Sequence, residues 1–582
     1  MKKTLTIVLM LLSLCLQAQT VAPTWESLNE RGYPQWFSAA KLGIFVHWGL
    51  YSVPAYASKE GYGEWFYRGL MLKDSGRCRI MSLYADTTQP TFEQYKALTH
   101  HWHAELWQPQ EWARLFREAG ARYVMLVTKH HDGYSLWDDP YQPEWNSVVS
   151  GPRRNIVEEL TAAVRAEGLR MGFYYSLPEW THPRHIWMQD PDSAIGDYVD
   201  NYMVPQFKHL VSTYRPDALF ADGDWQNSAE QFRSAELIAW YYNLVGPDAI
   251  VNDRWGNGTR HGFRTPEYSA GISVADRPWA ECRGMGRSFG YNRNEDLDNY
   301  LTSTELIQHF CELVAHGGGL TLNVGPMADG TIPLIQQERL RALGRWLEVN
   351  GEAIYGTRPY STPCQREHMS ARMPPTTHID HDWVRNAPLK EMPVDNFEIN
   401  WLGIVGPTPP KAGDYIIRIE GDDEVSLTIG DDTLYYNHAW AENDRCQTTV
   451  HLDGNSVLYL DVRYLEKDLE ATVRVTWSRD GGKTFTPLYA DWEGVASWQR
   501  TLRCFTQKGD DLYVIEFERP GQTVTIPNMP RLKKGSAVTL LGTTGTVRWK
   551  QKRDGTLTLD LSRLAPKQLN ALDHAWVFKI KN

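Results

Sequence analysis

Cysteine is scarce in this sequence, with 7 in 582 residues. Cys78, Cys282, Cys311, Cys364, Cys446 and Cys504 lie at wide, irregular intervals. That spacing excludes both a small disulfide scaffold and a paired zinc motif. Positive charge is also short, since 60 Lys and Arg face 71 Asp and Glu for a formal net charge of −11. No electrostatic case remains for a nucleic-acid partner. Beyond the N-terminus no run reaches about 18 apolar residues, so the mature chain carries no expected transmembrane segment. Nor is there an internal repeat beyond generic hairpins.

Aromatic residues, by contrast, are plentiful, with 24 Trp and 29 Tyr. Aromatic faces suit ligands with C–H-rich faces and polar rims, such as sugars, although a large aromatic core fits the same composition. The opening "MKKTLTIVLMLLSLCLQAQT" joins two lysines, an apolar stretch and small residues near Ala18. It reads as a secretory signal peptide over 1–20, implying export to the periplasm or beyond. Lipid attachment at Cys15 is the weaker alternative, because Leu14 before it fits a lipoprotein site poorly.

A chain of this length contains two to four domains. From about 36 to 355, strand-like runs alternate with helical patterns. "KLGIFVHWG", "RYVMLVTKHHDG", "LRMGFYYS", "DALFADGD", "AIVNDRWG" and "GGLTLNVGP" are short and apolar, each ending in polar or aromatic residues with Gly. Between them, "PQEWARLFREAGA" and "IVEELTAAVRAEG" have apolar residues at helical spacing. Buried strands separated by helices imply a parallel sheet, with a (β/α)8 (TIM) barrel favoured over an open doubly wound sheet. We place this domain at 21–355. Beyond it the texture is all-β. A C-terminal β-sandwich is expected at 356–385 and 493–582, interrupted by a second β-sandwich module at 386–492.

"DALFADGDW" begins as a buried strand and ends in two carboxylates and Trp225. One Asp-Gly pair is usually a turn. Here five of the six strands end in His47, His130 and His131, Tyr174, Asp222 and Arg254. In a barrel all those ends converge on one face, where active sites are built.

Glycosidic cleavage requires two carboxyl groups. Asp222 is the candidate nucleophile. Its partner is sought among Asp224, Asp253, Glu267 and Glu281. Asp253 reads as the ion-pair partner of adjacent Arg254, and Asp224 as a neighbour of Asp222 on a regular strand. Spacing alone does not separate Glu267 from Glu281. Glu64 and Trp65 in "GEWFY" pair a polar clamp with a ring face. A metal at "HHDG" with Asp222 is disfavoured, because adjacent residues on a regular strand point to opposite faces.

Together "FVHWG", "EWFY", "YVMLVTKHHDGYSLW", "MGFYYSLPEW", "FADGDW", "VNDRWG", "RGMGRSFGYNRNE" and "GGGLTLNVGPMADGTIP" resemble the α-L-fucosidases of glycoside hydrolase family 29, in the family's order. The resemblance implies an imperfect (β/α)8 barrel followed by a β-sandwich, and an exported retaining exo-α-L-fucosidase acting through a covalent fucosyl-Asp intermediate. It implies Asp222 as nucleophile and Glu267 as acid/base. Sugar contacts fall on His47, Glu64, Trp65, His130, His131, Tyr174 and Arg254. Phe220 stands where relatives often have Trp, so it can stack but cannot donate a hydrogen bond. No metal or other cofactor is expected, and the partner is a fucosylated oligosaccharide or glycoconjugate. The competing reading is an inactive glycan-binding protein on the same barrel. Residues 390–490 resemble the protective-antigen-like β-sandwich module, whose adjacent aspartates, here Asp422 and Asp423, bind Ca²⁺ in some members; we read this pair as structural.

Overall fold

The apolar runs of the first half become seven parallel strands: β1 (Leu42–Val46), β2 (Tyr123–Lys129), β3 (Arg170–Ser176), β4 (Ala218–Asp222), β5 (Ile250–Val251), β6 (Ala280–Gly284) and β7 (Gly319–Val324). They hydrogen-bond in the order β5-β4-β3-β2-β1-β7-β6. The computed structural model describes residues 20–59, 61–85, 90–183, 195–268, 276–384, 386–405, 411–430, 432–437, 446–453, 457–467 and 471–581. The expected leader lies, up to residue 19, outside the described residues. No helix among them is long and apolar enough to cross a membrane. Two compact units emerge, one drawn from Met1–Thr265, Asp276–Tyr300 and Gly319–Gly344, the other from Pro266–Ala275, Leu301–Gly318 and Arg345–Asn582.

In the first unit the parallel sheet closes on itself. Phe263 bridges in parallel to Asn252 beyond β5, and Arg264 bridges to Trp279 before β6. Phe263 N donates to Val251 O at 3.0 Å, and Ala280 N donates to Arg264 O at 3.0 Å. A minimal eighth position thus completes an imperfect (β/α)8 barrel. β6, "AECRG", is absent from the six strands expected from sequence. Its charged Glu281 and Arg283 broke the apolar run by which the other strands were recognised.

Strand alternation sends every second side chain inward. Phe45, Tyr123, Met125, Val127, Tyr174, Phe220, Phe263 and Cys282 form the barrel's interior cluster. The outer faces are covered by helices Pro109–Glu118, Ile156–Ala166, Val204–Tyr214 and Ser234–Val245, three of which present strong apolar stripes toward the sheet. Pro109 starts one without wasting an N–H, and the Asn155 side chain caps another by accepting from Glu158 N.

Outside the sheet, the end of β2 is tied to the loop after β3 by a buried ion pair. Lys129 Nζ lies 3.1 Å from a Glu179 carboxylate oxygen, with both side chains almost fully buried. Gln206 accepts from Lys129 at 2.9 Å, and Tyr202 donates to Glu179 at 2.8 Å. Every charge therefore has partners, as burial requires.

Among the described residues the second unit is all-β apart from helix Ser303–Ala315, the end of helix Leu334–Asn350 with the short turn Gly351–Ala353 that follows it, and the short helix Pro566–Asn570. Strand Arg358–Arg372 pairs antiparallel with Asp491–Lys508, from Gln507↔Arg358 to Val495↔Arg372. The long strand also pairs with Phe397–Val405 through its first half and with Asp511–Glu516 through its second. One ribbon thus runs without a break past both sets of strands, and position 493, the expected module boundary, lies within a strand. Separate apolar cores fill the two modules, one around Trp401, Trp492 and Val462, the other around Phe505, Leu559 and Phe578.

Removing Glu179 by substitution with Ala leaves the Lys129 ammonium buried without its counter-charge. Urea denaturation should show a loss of about 3–5 kcal/mol. A change below about 1 kcal/mol would mean the pair behaves as a surface bridge.

Candidate active site

Asp222 ends β4 at the C-terminal rim of the barrel, with the residue only 7 % exposed. Three side chains from three other elements meet its carboxylate. Tyr174 Oη donates to Oδ2 at 2.7 Å, Arg254 Nη1 to Oδ1 at 3.3 Å, and His131 Nε2 lies 3.4 Å from Oδ2. Burial alone would raise this carboxyl. The contact with His131, the charges of Arg254 and His131 and the Tyr174 hydroxyl outweigh it and hold the group well below the usual carboxylate range. Asp222 is therefore an anion poised in a largely dry setting.

The Asp-Gly-Asp sequence follows from packing. Gly223 has φ +91°, and a Cβ there would stand 2.3 Å from the Pro178 ring. Only glycine allows both the backbone turn and that approach. The turn takes Asp224 off the strand, so the expected shared face with Asp222 is not realised. Asp224 is half-buried, its carboxyl raised by burial and then by the charge of Asp222.

A second tier fixes the rim. The Asn252 side chain accepts from Ala221 N and donates to Ala221 O, both at 2.8 Å, pinning the backbone just before Asp222. Arg254 is held by Thr265, through the hydroxyl at 3.0 Å and the carbonyl at 2.8 Å. The expected Asp253–Arg254 ion pair is corrected: Arg254 turns to Asp222, while Asp253 accepts from Thr265 at 3.1 Å and lies 3.7 Å from Arg277. Adjacent residues at a strand end point apart, so neighbours in sequence took separate partners.

Both strand-end histidines reach the same region because β2 is irregular there. Its register with β3 shifts between Val127 and Lys129. The rings of His130 and His131 come within 4.4 Å. His131 Nδ1 contacts Ser176 Oγ at 2.5 Å, while His130 stacks parallel to Tyr174 at 5.7 Å. His130 is held well below the ordinary histidine range, first by burial and then by His131 and His47.

His47 follows β1. Its Nδ1 is 2.6 Å from Asn323 Oδ1, and Asn323 Nδ2 donates to Phe289 O at 2.6 Å. That second bond makes the amide oxygen the acceptor, so His47 Nδ1 carries hydrogen and its neutral Nε2 is an acceptor. Burial pushes His47 down to about 4. Glu64, 2 % exposed, accepts from Gly290 N at 2.7 Å. Trp65 meets His131 edge-on at 5.9 Å and Trp180 at 5.2 Å. Phe220 lies beneath Arg254, whose Cζ sits 5.4 Å from the ring centroid, and belongs to the interior cluster.

The first unit thus unites His47, Glu64, Trp65, His130, His131, Tyr174, Phe220, Asp222 and Arg254. Glu267 is half-buried and belongs to the second unit, two residues along the chain from Thr265. Glu281 is not a loop residue but lies within β6, fully buried. Its neighbours Ala280 and Cys282 face the barrel interior, so alternation points Glu281 away from Asp222. Asn252, Thr265, Ser176 and Asn323 were missed by sequence reasoning. The only trace of Asn323 was a polar residue inside "LTLNVGP".

Among the described residues, one group has metal-ligating geometry, and it lies in the second unit. Asp422, Asp423 and Glu466 bring ligand atoms within 4.8 Å of one another. Asp423 accepts from Lys467 N at 2.6 Å, Tyr464 donates to Glu466, and burial pushes Glu466 up to about 9.

A buried, ionised carboxylate ringed by imidazoles, a tyrosine and an arginine at the C-terminal rim of a (β/α)8 barrel supplies one of the two carboxyl groups that a glycoside hydrolase needs. Comparison with known proteins narrows the class. The Alpha-L-fucosidase family model matches residues 9–352, its C-terminal-domain model 499–581, and the PA14 domain model 364–490. Alpha-L-fucosidase of Dictyostelium discoideum is 38% identical over 363 residues, spanning 61% of this chain and 78% of that protein. Human tissue alpha-L-fucosidase is 35% identical over 412 residues, covering 68% and 87%. Among solved structures, Thermotoga maritima alpha-fucosidase in complex with fucose is 28% identical with a TM-score of 0.63, covering 96% of this chain and 99% of that one. The chain belongs to the alpha-L-fucosidase family, and its activity is that of an α-L-fucosidase.

The depressed His47 pKa has a stability consequence. Above about pH 6.5 the unfolded and folded states are equally unprotonated at this ring. Between 6.5 and about 4 only the unfolded state takes up the proton, so stability falls as pH falls, by about 1.4 kcal/mol per pH unit for this group. Denaturation at stepped pH should give His47→Gln a shallower acid slope than the parent. Equal slopes would show that His47 is not held neutral.

Proposed function

We propose that this chain is an exported retaining exo-α-L-fucosidase that removes terminal α-L-fucosyl residues from oligosaccharides or glycoconjugates. The carrying observation is the Asp222 carboxylate, kept ionised at the rim by Tyr174, Arg254 and His131. An anion is needed to attack the anomeric carbon, and a carboxylate of low basicity is also a good leaving group when water takes its place. Export rests on the leader's lysines and apolar run.

In the first step an Asp222 oxygen bonds to C1 as the glycosidic oxygen departs with a proton from Glu267. In the second, Glu267 takes a proton from water, whose oxygen bonds to C1 and releases fucose and the Asp222 carboxylate. Glu267 enters this scheme through its family motif and its place two residues after Thr265, the anchor of Arg254. Neutral His47 and His130, with Glu64 and Trp65, supply hydrogen bonds and a ring face to the sugar. Phe220 supports Arg254 from below.

Asp222→Gly should lose on the order of 10⁴-fold in kcat on an aryl α-L-fucoside, and azide should then yield the β-L-fucosyl azide, because the anion attacks from the vacated face. Wild-type turnover in that variant would refute the assignment. For Glu267→Ala, azide should intercept the fucosyl-enzyme and give the α-L-fucosyl azide, with the greatest loss on substrates with poor leaving groups. If Glu267→Ala behaves as wild type on such substrates, another group supplies the proton.

A further inference from the structure

Trp225 follows Asp222 by three residues, and the barrel leaves it open to solvent. Among the described residues it is the one tryptophan that is exposed, at 47 %. Its ring nonetheless has a fixed seat. It meets His131 edge-on at 5.3 Å and Trp65 at 5.8 Å. Trp65 in turn contacts Trp180, and Trp180 lies against His131 at 5.0 Å. Three indoles therefore surround the imidazole that touches Asp222, and they are graded in exposure. Trp180 is 5 % exposed, Trp65 is intermediate and Trp225 is open.

The backbone beyond Trp225 is pinned. Asn257 N donates to Asn227 O at 2.8 Å, and Ala229 N donates to Asn257 O at 3.0 Å. Ser228 N donates to Gln231 Oε1 at 2.9 Å. On the other side stands the turn that Gly223 makes against Pro178. A large apolar ring held at such an anchored rim leaves apolar surface in water that a ligand can cover. The group next to the reacting carbon on the solvent side is the leaving group, which for a natural substrate is another sugar.

We propose that Trp225 is the platform of the leaving-group subsite, stacking on the pyranose ring to which the fucosyl residue is attached. This rests on the reading of Asp222 as nucleophile, since that fixes where the leaving group departs. The platform makes the enzyme select fucosides whose aglycone has a C–H-rich ring face over those whose leaving group has no ring.

The test compares two substrates within each enzyme preparation, so that the fraction of folded protein cancels. One is the best-cleaved member of a panel of α1,2-, α1,3-, α1,4- and α1,6-fucosylated oligosaccharides. The other is α-L-fucosyl fluoride, whose leaving group is too small to reach Trp225 and departs without a proton. In Trp225→Ala the ratio of kcat/KM, oligosaccharide over fluoride, should fall by about 10-fold or more, a change worth about 1.4 kcal/mol. Trp225→Phe should restore most of the ratio. Should the alanine variant not fold, Trp225→Gln takes the same measurement. A ratio within about twofold of wild type, whether both rates fall or neither does, would overturn the proposal. Separately, an Asp222→Gly enzyme that hydrolysed α-L-fucosyl fluoride at the wild-type rate would overturn the underlying nucleophile reading without involving Trp225.

Discussion

A carboxylate buried in a protein ordinarily takes up a proton, and this barrel is organised to prevent that at Asp222. The cost of burial is offset by a hydroxyl, a guanidinium and an imidazole brought in from β3, from the chain after β5 and from the end of β2. No two of these come from neighbouring stretches of sequence. Their convergence requires β2, β3, β4 and β5 to lie side by side and parallel, so the strand order of the sheet and the ionisation of Asp222 are one constraint seen at two scales. The minimal bridge at Phe263 and Arg264 is part of it, because the chain just beyond reaches Thr265, which clamps Arg254.

Around that centre each contacting group is itself held from behind. Asn252 fixes the backbone at Ala221, Ser176 sits against His131, Asn323 selects the tautomer of His47, and Gly290 N bonds Glu64. Pre-set orientation of this kind matters because geometry errors near 1 Å cost large factors in rate. The buried Lys129–Glu179 pair serves the same end, since Lys129 directly precedes the two histidines and Glu179 directly follows Pro178. The rim is thus held in place where the sugar is proposed to bind, and Trp225, the one exposed indole among the described residues, stands beside it where the proposal puts the leaving group.

Much of this was legible in the sequence, because a barrel strand declares itself as an apolar run and its polar tail falls at the functional face. His47, His130, His131, Tyr174, Asp222 and Arg254 were readable on that rule alone. β6 was not, since its outward positions carry Glu281 and Arg283 and so break the run. That also made Glu281 look like a loop acid. The partners of Asp253 and Arg254 were misassigned because adjacency in sequence says little about direction at a strand end. Asn252, Ser176, Asn323 and Thr265 were invisible for a related reason: a small polar side chain acquires meaning only when folding brings its partner from a distant segment. In the second half, alternation marked the β-modules, whereas the unbroken ribbon that joins them is a property of register, which composition does not carry.

The central claim is that the carboxylate at 222 becomes bonded to the sugar during turnover. The most direct measurement is mass spectrometry of enzyme incubated with a 2-deoxy-2-fluoro-α-L-fucosyl fluoride, a substrate that forms the ester quickly and hydrolyses it slowly. The account predicts one fluorofucosyl adduct per chain, located by peptide fragmentation on Asp222. An adduct on Asp224 or Glu267, or full inactivation with Asp222 unmodified, would contradict it.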